Sequence, residues 1–370
     1  MKHTLITVIW IFTILGFFVF VMWYTAYRLQ VCFKFTHFWV LQSVVVFFVI
    51  SSFASSLIAV KFSGSFVSVL NIIGGYVFLF LIYLFVMLIA FSFVQSIFNI
   101  SSVLSGAVAI VIAFIVTFVS AVMGSPFIVK ETEIKMAALK KELLIMQISD
   151  VHIGRHRGRD YLAAIVEATN TRNPDLVLIT GDLIDAEPAL LPGVLDSLSN
   201  FKAPVFYVEG NHEKYIGVER VLKLIRERNI RVMSNEVVEI CGIQLIGLDY
   251  MKADEETFDV HPSDHADTVK SVLAKISLKS ELPSILMSHS PVGAQYADAA
   301  GVDLMLSGHT HGGQIFPFSW LSKLTFPFNS GLYQQGNTRI FVSNGAGTFF
   351  IRARLGTFNE INLLKLVHAN

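Results

Sequence analysis

Five short blocks hold most of the side chains able to bind metal or move protons. They are Ser149-Asp150-Val151-His152, Gly181-Asp182-Leu183-Ile184-Asp185, Gly210-Asn211-His212-Glu213, Ser288-His289-Ser290-Pro291 and Gly308-His309-Thr310-His311-Gly312-Gly313-Gln314. Imidazole nitrogen suits Zn, Fe and Mn, whereas carboxylate and carbonyl oxygen suit harder ions. In an extended segment residues i and i+2 face the same way, so Asp150 and His152 are expected to approach one ion together. His309 and His311 are expected either to do likewise or to face neighbouring ions. Three or more histidines with two aspartates and an asparagine point to a dinuclear centre. Such ions sit about 3.5–4 Å apart and clamp both oxygens of an in-line displacement. Asp182, in a tight Gly-Asp turn, is the best candidate for a shared carboxylate. The glycines beside each block let backbone approach without a Cβ clash. Taken singly, each block also reads as turn or cap chemistry. Taken together, each after an apolar run, they do not, because burying so many ionisable groups without metal is costly.

The elements that must carry these blocks follow a repeating pattern: a short apolar run, an abrupt polar end, then a helical stretch. The runs are Leu143–Ile148, Leu176–Thr180, Val205–Val208, Ile285–Met287 and Leu304–Leu306, with helices expected near 159–172, 217–228 and 268–279. Strands apolar on both faces and alternating with helices imply a layered α/β fold with buried sheets. Ligands of such sheets gather beyond the carboxyl ends of the strands. Val237–Leu248 reads as a hairpin, and Arg339–Val342 and Glu360–Leu366 as further strands.

Charge divides the chain. Of 370 residues 54% are hydrophobic and 15% charged, against about 25% charged in an ordinary soluble domain. Residues 1–129 carry only Lys2, Arg28, Lys34 and Lys61, and the first acidic residue is Glu131. The remainder is mildly acidic and offers no basic excess to neutralise phosphates, so nucleic acid is not an expected partner. Apolar stretches near 5–26, 38–60, 69–94 and 103–125 are each long enough to cross a bilayer. The first is too long for a signal peptide and is expected to be retained. No ionisable residue is placed inside a span, so the expectation is an anchor rather than an ion path. Lys2, Lys61, Lys130, Lys135, Lys140 and Lys141 fall on one side and Arg28 and Lys34 on the other. That asymmetry puts the termini and the globular half in the cytoplasm, as an integral, multi-pass membrane protein. The expected organisation is an anchor over 1–129, a charged link over 130–142 that could also form a short helix or strand, and a globular domain over 143–370. Cys32 and Cys241 are expected to be free thiols.

The blocks SDVHIG, TGDLID, GNHE, SHSP and GHTHGGQ resemble those of the calcineurin-like metallophosphoesterase superfamily. GHTHGGQ and the tail SNGAGTFFIRARLGTFNEINLL look most like its membrane-anchored bacterial branch, with a departure at Arg352 and Asn359, where that branch usually carries prolines. The resemblance covers about 143–366 and implies a four-layer α/β/β/α sandwich, here preceded by a four-helix transmembrane region. It implies that Asp150, His152, Asp182 and His311 hold one divalent ion and that Asp182, Asn211, His289 and His309 hold a second. Mn2+ is expected ahead of Fe2+ or Zn2+. His212 would stabilise the transition state or protonate the leaving oxygen, and Asp185 would orient it. The implied reaction is hydrolysis of a phosphate ester or pyrophosphate bond by a metal-bridging hydroxide.

Residues Ile315–Tyr333 carry Phe316, Phe318, Trp320, Leu321, Phe326 and Phe328 directly after the last block. Aromatic residues favour a membrane interface. This segment is therefore expected either to press on the bilayer and admit a lipid-linked phosphate, as in relatives that resemble UDP-diacylglucosamine pyrophosphatases, or to pack over the α/β core. The alternatives are a tethered enzyme for a soluble ester and a non-enzymatic membrane sensor. The sequence leaves the oligomeric state open.

Overall fold

The computed structural model describes residues 2–137, 139–257 and 266–368, with side chains from Phe12 onward apart from Ile14. The expected anchor, link and globular spans also include Met1, Ala138, 258–265 and 369–370, which lie outside the described residues. The chain forms two compact units. One comprises Met1–Ala59, Gly64–Val122 and Phe350–Ala353, and the other Val60–Ser63, Met123–Phe349 and Arg354–Asn370.

The first unit holds α1 (Lys2–Phe33), α2 (Phe38–Lys61), α3 (Ser65–Ile97) and α4 (Ser102–Met123). Among the described residues these four helices are long and apolar enough to cross a membrane. They run beyond the expected stretches at most ends. Arg28, expected in the first break, lies inside α1 and donates to Gln95 Oε1 at 2.7 Å. A polar partner is what such a residue needs in an apolar medium. Phe350–Ala353 belongs to this unit: the Phe350 ring packs on Phe53 and Phe78, and Tyr76 Oη donates to the Arg352 carbonyl at 3.2 Å. Cys32 is buried, Cys241 is exposed, and both are free.

The second unit begins with β1 (Phe127–Met136) and β2 (Leu143–Ile148), followed by α5 (Arg159–Thr171), β3 (Leu176–Thr180) and β4 (Val205–Val208). Next come α6 (Asn211–Ile216), α7 (Val218–Arg226) and β5 (Arg231–Val232). The hairpin β6 (Glu236–Ile240) and β7 (Ile243–Gly247) follows, turning at Cys241-Gly242 as expected. The chain continues through α8 (Val269–Leu273), β8 (Ser284–Met287), α9 (Ala294–Ala299), β9 (Leu304–Ser307), α10 (Phe318–Thr325), β10 (Gly331–Gln335), β11 (Thr338–Val342) and β12 (Asn359–His368).

Two six-stranded sheets result, in the orders β1-β12-β2-β3-β4-β5 and β10-β11-β9-β8-β7-β6. β2, β3 and β4 are parallel, as are β7, β8, β9 and β11, so the polar blocks leave from matching ends. Alternation along each strand sets the layers. Met146, Val177 and Ile179 face an outer core with Leu162 and Ile165 of α5 and Val221 and Ile225 of α7. Ile145, Leu176 and Leu178 face inward onto Leu245, Ile285, Leu304 and Phe341 of the second sheet. Ile246, Leu286, Met305 and Ile340 face a third core with residues of α8 and α9. The arrangement is helix, sheet, sheet, helix, and the middle strands are buried on both faces. Each fully buried Leu or Ile contributes about 1.5–3 kcal/mol.

One open expectation resolves and one element departs from its expected length. Residues 130–136, expected in the link, lie in β1, which pairs in parallel with β12 from Phe127↔Asn359 to Met136↔His368. The helix expected over 268–279 stops at Leu273. Thr268 and Ser271 cap its start reciprocally, but Ile276 and Leu278 then pack against the third core at a spacing of two, which a helix does not offer.

Candidate metal centre

The five blocks leave their strands and converge. Two groups of side chains offer ligand atoms within 4.8 Å of one another: Asp150 with His152 and His311, and Asp182 with His289 and His309. Asp182 stands between them. Its Oδ2 lies 3.2 Å from His289 Nε2, 3.8 Å from His152 Nε2 and 3.9 Å from His212 Nε2. His311 Nε2 lies 3.5 Å from Asp150 Oδ1. Asp150, His152, Asp182, Asn211, His289 and His311 are buried, and His309 is half-buried.

The route to this convergence differs from the expected one. Asp150, His152, Asp182, His309 and His311 have φ of 51°, 53°, 51°, 69° and 51°, so these segments are left-handed at the candidate ligands rather than extended. Non-glycine residues seldom adopt that conformation, and where they do so in clusters the surrounding structure must impose it. Here the neighbouring backbone does. Asp150 N donates to the Gly181 carbonyl at 3.0 Å and His152 N to the Asp182 carbonyl at 3.1 Å. The His309 N–H donates to both Asp150 oxygens at 3.0 Å. Two glycines make the approach possible: a Cβ on Gly210 would overlap Asp182 Oδ1, and one on Gly308 would overlap Asp150 Oδ2.

The donor set fits a pair of cations. His152 Nε2 and His311 Nε2 are 3.0 Å apart, and His309 Nδ1 and His289 Nε2 are 3.2 Å apart. Two nitrogens each ~2.1 Å from one ion at right angles would be about 3.0 Å apart. His289 Nδ1 lies 2.8 Å from the Thr180 carbonyl, the contact that leaves Nε2 to face the centre. Asn211 Oδ1 is buried with no hydrogen-bond partner among the described residues, an oxygen still in need of a positive neighbour.

Charge follows the same division. Burial, with His212 beside it, holds His152 well below the usual imidazole value. Burial, with His152 and Arg354, does the same to His311, so both rings stay neutral as a metal ligand must. At Asp182 burial opposes ionisation, yet His289, His212 and His152 outweigh it and hold the carboxyl well below its ordinary range. At His289 burial favours the neutral ring, yet Asp182 and Asp150 outweigh it and raise the group to about 10. The field of the two carboxylates therefore favours positive charge where the second group of ligands meets.

His212 sits at the mouth of α6, its backbone N–H donating to Asp182 Oδ1 at 2.9 Å. Its ring packs edge-on against His152, Tyr215 and Phe349, at centroid distances of 4.6, 5.4 and 5.5 Å. Asp185, His152 and His212 form a third group within 4.8 Å. Asp185 Oδ2 is 3.9 Å from His152 Nδ1 and 3.6 Å from Arg155 Nε, and burial raises its carboxyl to about 7.

Comparison with known proteins gives the chain a family. The calcineurin-like phosphoesterase family matches residues 143–313. An uncharacterized metallophosphoesterase of Helicobacter pylori is 38% identical over 247 residues, covering 65% of this chain and 64% of that protein. One of Aquifex aeolicus is 32% identical over 212 residues, covering 56% of this chain and 78% of that protein. The chain belongs to the calcineurin-like phosphoesterase family. A transmembrane protein with metallophosphoesterase domain from Bos taurus is 33% identical over 279 residues, covering 69% of this chain and 62% of that protein. The chain thus spans somewhat under two thirds of the Helicobacter and bovine relatives.

Two residues of the phosphoesterase unit do structural work that the motifs do not announce. Glu213 has no direct part in the ligand groups. Its carboxylate accepts N–H bonds from Asp182 and Ile184 at 3.1 Å and from Gly210 at 2.9 Å, tying two ligand-bearing loops together. Burial raises it to about 7. Arg354 is fully buried and donates to the carbonyls of His311 (2.8 Å), Asn344 (2.5 Å) and Gly347 (2.7 Å). Its Nε donates to Asn359 Oδ1 at 2.8 Å, and Asn359 Nδ2 donates in turn to the carbonyls of Gly124 and Pro126. A proline at 359 could make none of these side-chain bonds, which gives the tail's departure a physical use. The only signals in sequence were the glutamate of GNHE and an arginine in a glycine-rich tail, both ordinary surface residues elsewhere.

Proposed function

We propose that the protein is a membrane-anchored, metal-dependent phosphoester hydrolase acting on a phosphate ester or pyrophosphate bond of a lipid-linked molecule. The observation that carries the reading is Asp182 Oδ2, within 3.2–3.9 Å of three imidazoles and set between two groups of ligand atoms. In this reading Asp150, His152, Asp182 and His311 hold one divalent ion, and Asp182, Asn211, His289 and His309 the other, with Mn2+ ahead of Fe2+ and Zn2+. A pair of ions held there supplies a lowered water pKa and positive charge against the phosphoryl oxygens. Hydrolysis joins a water oxygen to phosphorus and breaks the ester P–O bond. The side chains do the rest. His212, at the rim beside Tyr215 and Phe349, gives its proton to the departing oxygen. Asp185, grouped with His152 and His212 and held beside Arg155, orients the His212 imidazole. Glu213 keeps the loops of Asp182 and Gly210 in register.

Four helices able to cross a bilayer, with the basic residues distributed as described, support a multi-pass membrane protein whose catalytic unit faces the cytoplasm. The test is hydrolysis of bis(p-nitrophenyl) phosphate by the purified full chain in detergent with added Mn2+. Turnover that falls about a hundredfold or more in His212→Ala, with metal content retained, supports the assignment. Absence of any metal-dependent turnover in the wild type leaves only a metal-binding membrane sensor.

A further inference from the structure

The segment expected either to press on a bilayer or to cover the core covers that core only in part. Phe328 packs against the third core beside Tyr333, with ring centroids 5.5 Å apart. Before it, α10 (Phe318–Thr325) buries no residue at all. Trp320 is 71% exposed, Leu324 84% and Leu321 52%, with Phe316 and Phe318 also exposed. At 3.6 residues per turn Trp320, Leu324, Leu321 and Phe318 form one continuous face. A contiguous apolar face of this kind is unfavourable against water and is characteristic of a helix that lies in a lipid interface, where Trp is preferred. The chain supplies its own reason to find lipid there, since four of its helices are long and apolar enough to cross a bilayer and the phosphoesterase unit is part of the same polypeptide.

α10 also leads to the metal centre. Thr325 and Phe326, at its end, line a cavity of about 500 Å³ that is shared with Tyr250, Lys252, Phe328 and His309. His309 belongs to the second ligand group, and the Phe326 ring meets it edge-on at 5.6 Å. A phosphoester whose phosphorus sits at the centre would therefore have an aromatic-walled cavity on one side, and the wall would continue into an exposed apolar helix. We propose that α10 lies in the headgroup layer of the bilayer and that the adjoining cavity takes the apolar substituent of a phosphoester drawn from that layer. This rests on the phosphoesterase reading above.

The experiment uses the full chain in phosphatidylcholine–phosphatidylglycerol nanodiscs. Trp10, Trp23 and Trp39 are replaced by Phe so that Trp320 alone emits. Trp320 emission is expected to be quenched by phospholipids brominated on their acyl chains and shielded from acrylamide. Quenching by acrylamide without quenching by bromolipid overturns the proposal. In parallel, hexadecyl p-nitrophenyl phosphate in the nanodisc is compared with water-soluble bis(p-nitrophenyl) phosphate, both read as nitrophenolate. The double variant Trp320→Ser, Leu324→Ser is expected to raise KM for the hexadecyl ester about tenfold or more while turnover of the soluble ester holds. An equal loss on both substrates, or no change on either, overturns it. Absence of turnover in the wild type would count against the phosphoesterase reading, while the quenching result would still decide whether α10 lies in lipid.

Discussion

The helical unit and the phosphoesterase unit solve opposite solvation problems. The helices expose Phe47, Phe66, Phe93 and Phe118, and bury serines, two threonines and Asn71. That inversion is stable only where the solvent is itself apolar, because the backbone is satisfied within each helix and the side chains need no water. The phosphoesterase unit exposes most of its charges and buries its aliphatic strands, yet leaves a knot of aspartates and histidines buried apart from the half-buried His309. Charges buried in this way demand compensation, and they find it in one another and in a cation. The same polar side chain is thus a minor packing detail in one unit and part of the chemistry in the other.

Substitutions that treat the two units alike should separate this difference, and Asp182 is expected to give the largest effect. Asp182→Asn keeps the shape and removes the central charge, so turnover of bis(p-nitrophenyl) phosphate should fall on the order of a thousandfold. Elemental analysis should show fewer than two ions per chain, and EDTA treatment of the wild type should reproduce the loss. Gly308→Ala comes next: its methyl must displace Asp150 or Ser149, and a shift of that kind at a ligand is expected to cost about a hundredfold in turnover. Retention of full activity would mean that the loop has slack which its hydrogen bonds do not suggest. Arg354→Met strips donors from four buried carbonyls and should lower the stability of the unit by about 3 kcal/mol or more, read as a shifted denaturation midpoint. The smallest effect is expected in the helices. Tyr83 Oη and Ser120 Oγ are 3.3 Å apart and buried, but Ser120→Ala should change stability by only about 0.6 kcal/mol and leave turnover alone. A large loss there would show the anchor to be coupled to catalysis.

The reach of the sequence can be judged residue by residue. Apolar runs ending in Asp or His were visible because burial on both faces leaves an unbroken aliphatic string, and the observed β3 and β4 match the expected Leu176–Thr180 and Val205–Val208. Five polar strand ends pointed to one shared site, and Asp150, His152, Asp182, His289, His309 and His311 offer ligand atoms a few ångströms apart. What stayed hidden was non-local or conformational. Nothing near Lys130 announces that its strand will pair with residues beyond Asn359, because pairing partners are chosen by the whole fold. Left-handed φ at Asp150 and His309 is imposed by hydrogen bonds from other loops, so the i, i+2 argument brings Asp150 and His152 together through a backbone that is not extended there. Arg354 carries no signal of its own in the sequence, because only the folded tail shows the carbonyls it serves.

β12 fills the gap between β1 and β2, parallel to one and antiparallel to the other. Strands that are neighbours in the chain are thus held apart by one made more than two hundred residues later. While the polypeptide emerges from the ribosome, that slot stays vacant, and the first sheet carries two raw edges until Asn359–His368 arrives. Long-range closure of this kind is slow, so the insertion of β12 is expected to be a late event in the assembly of the first sheet, with the two flanking ribbons waiting on a distant partner.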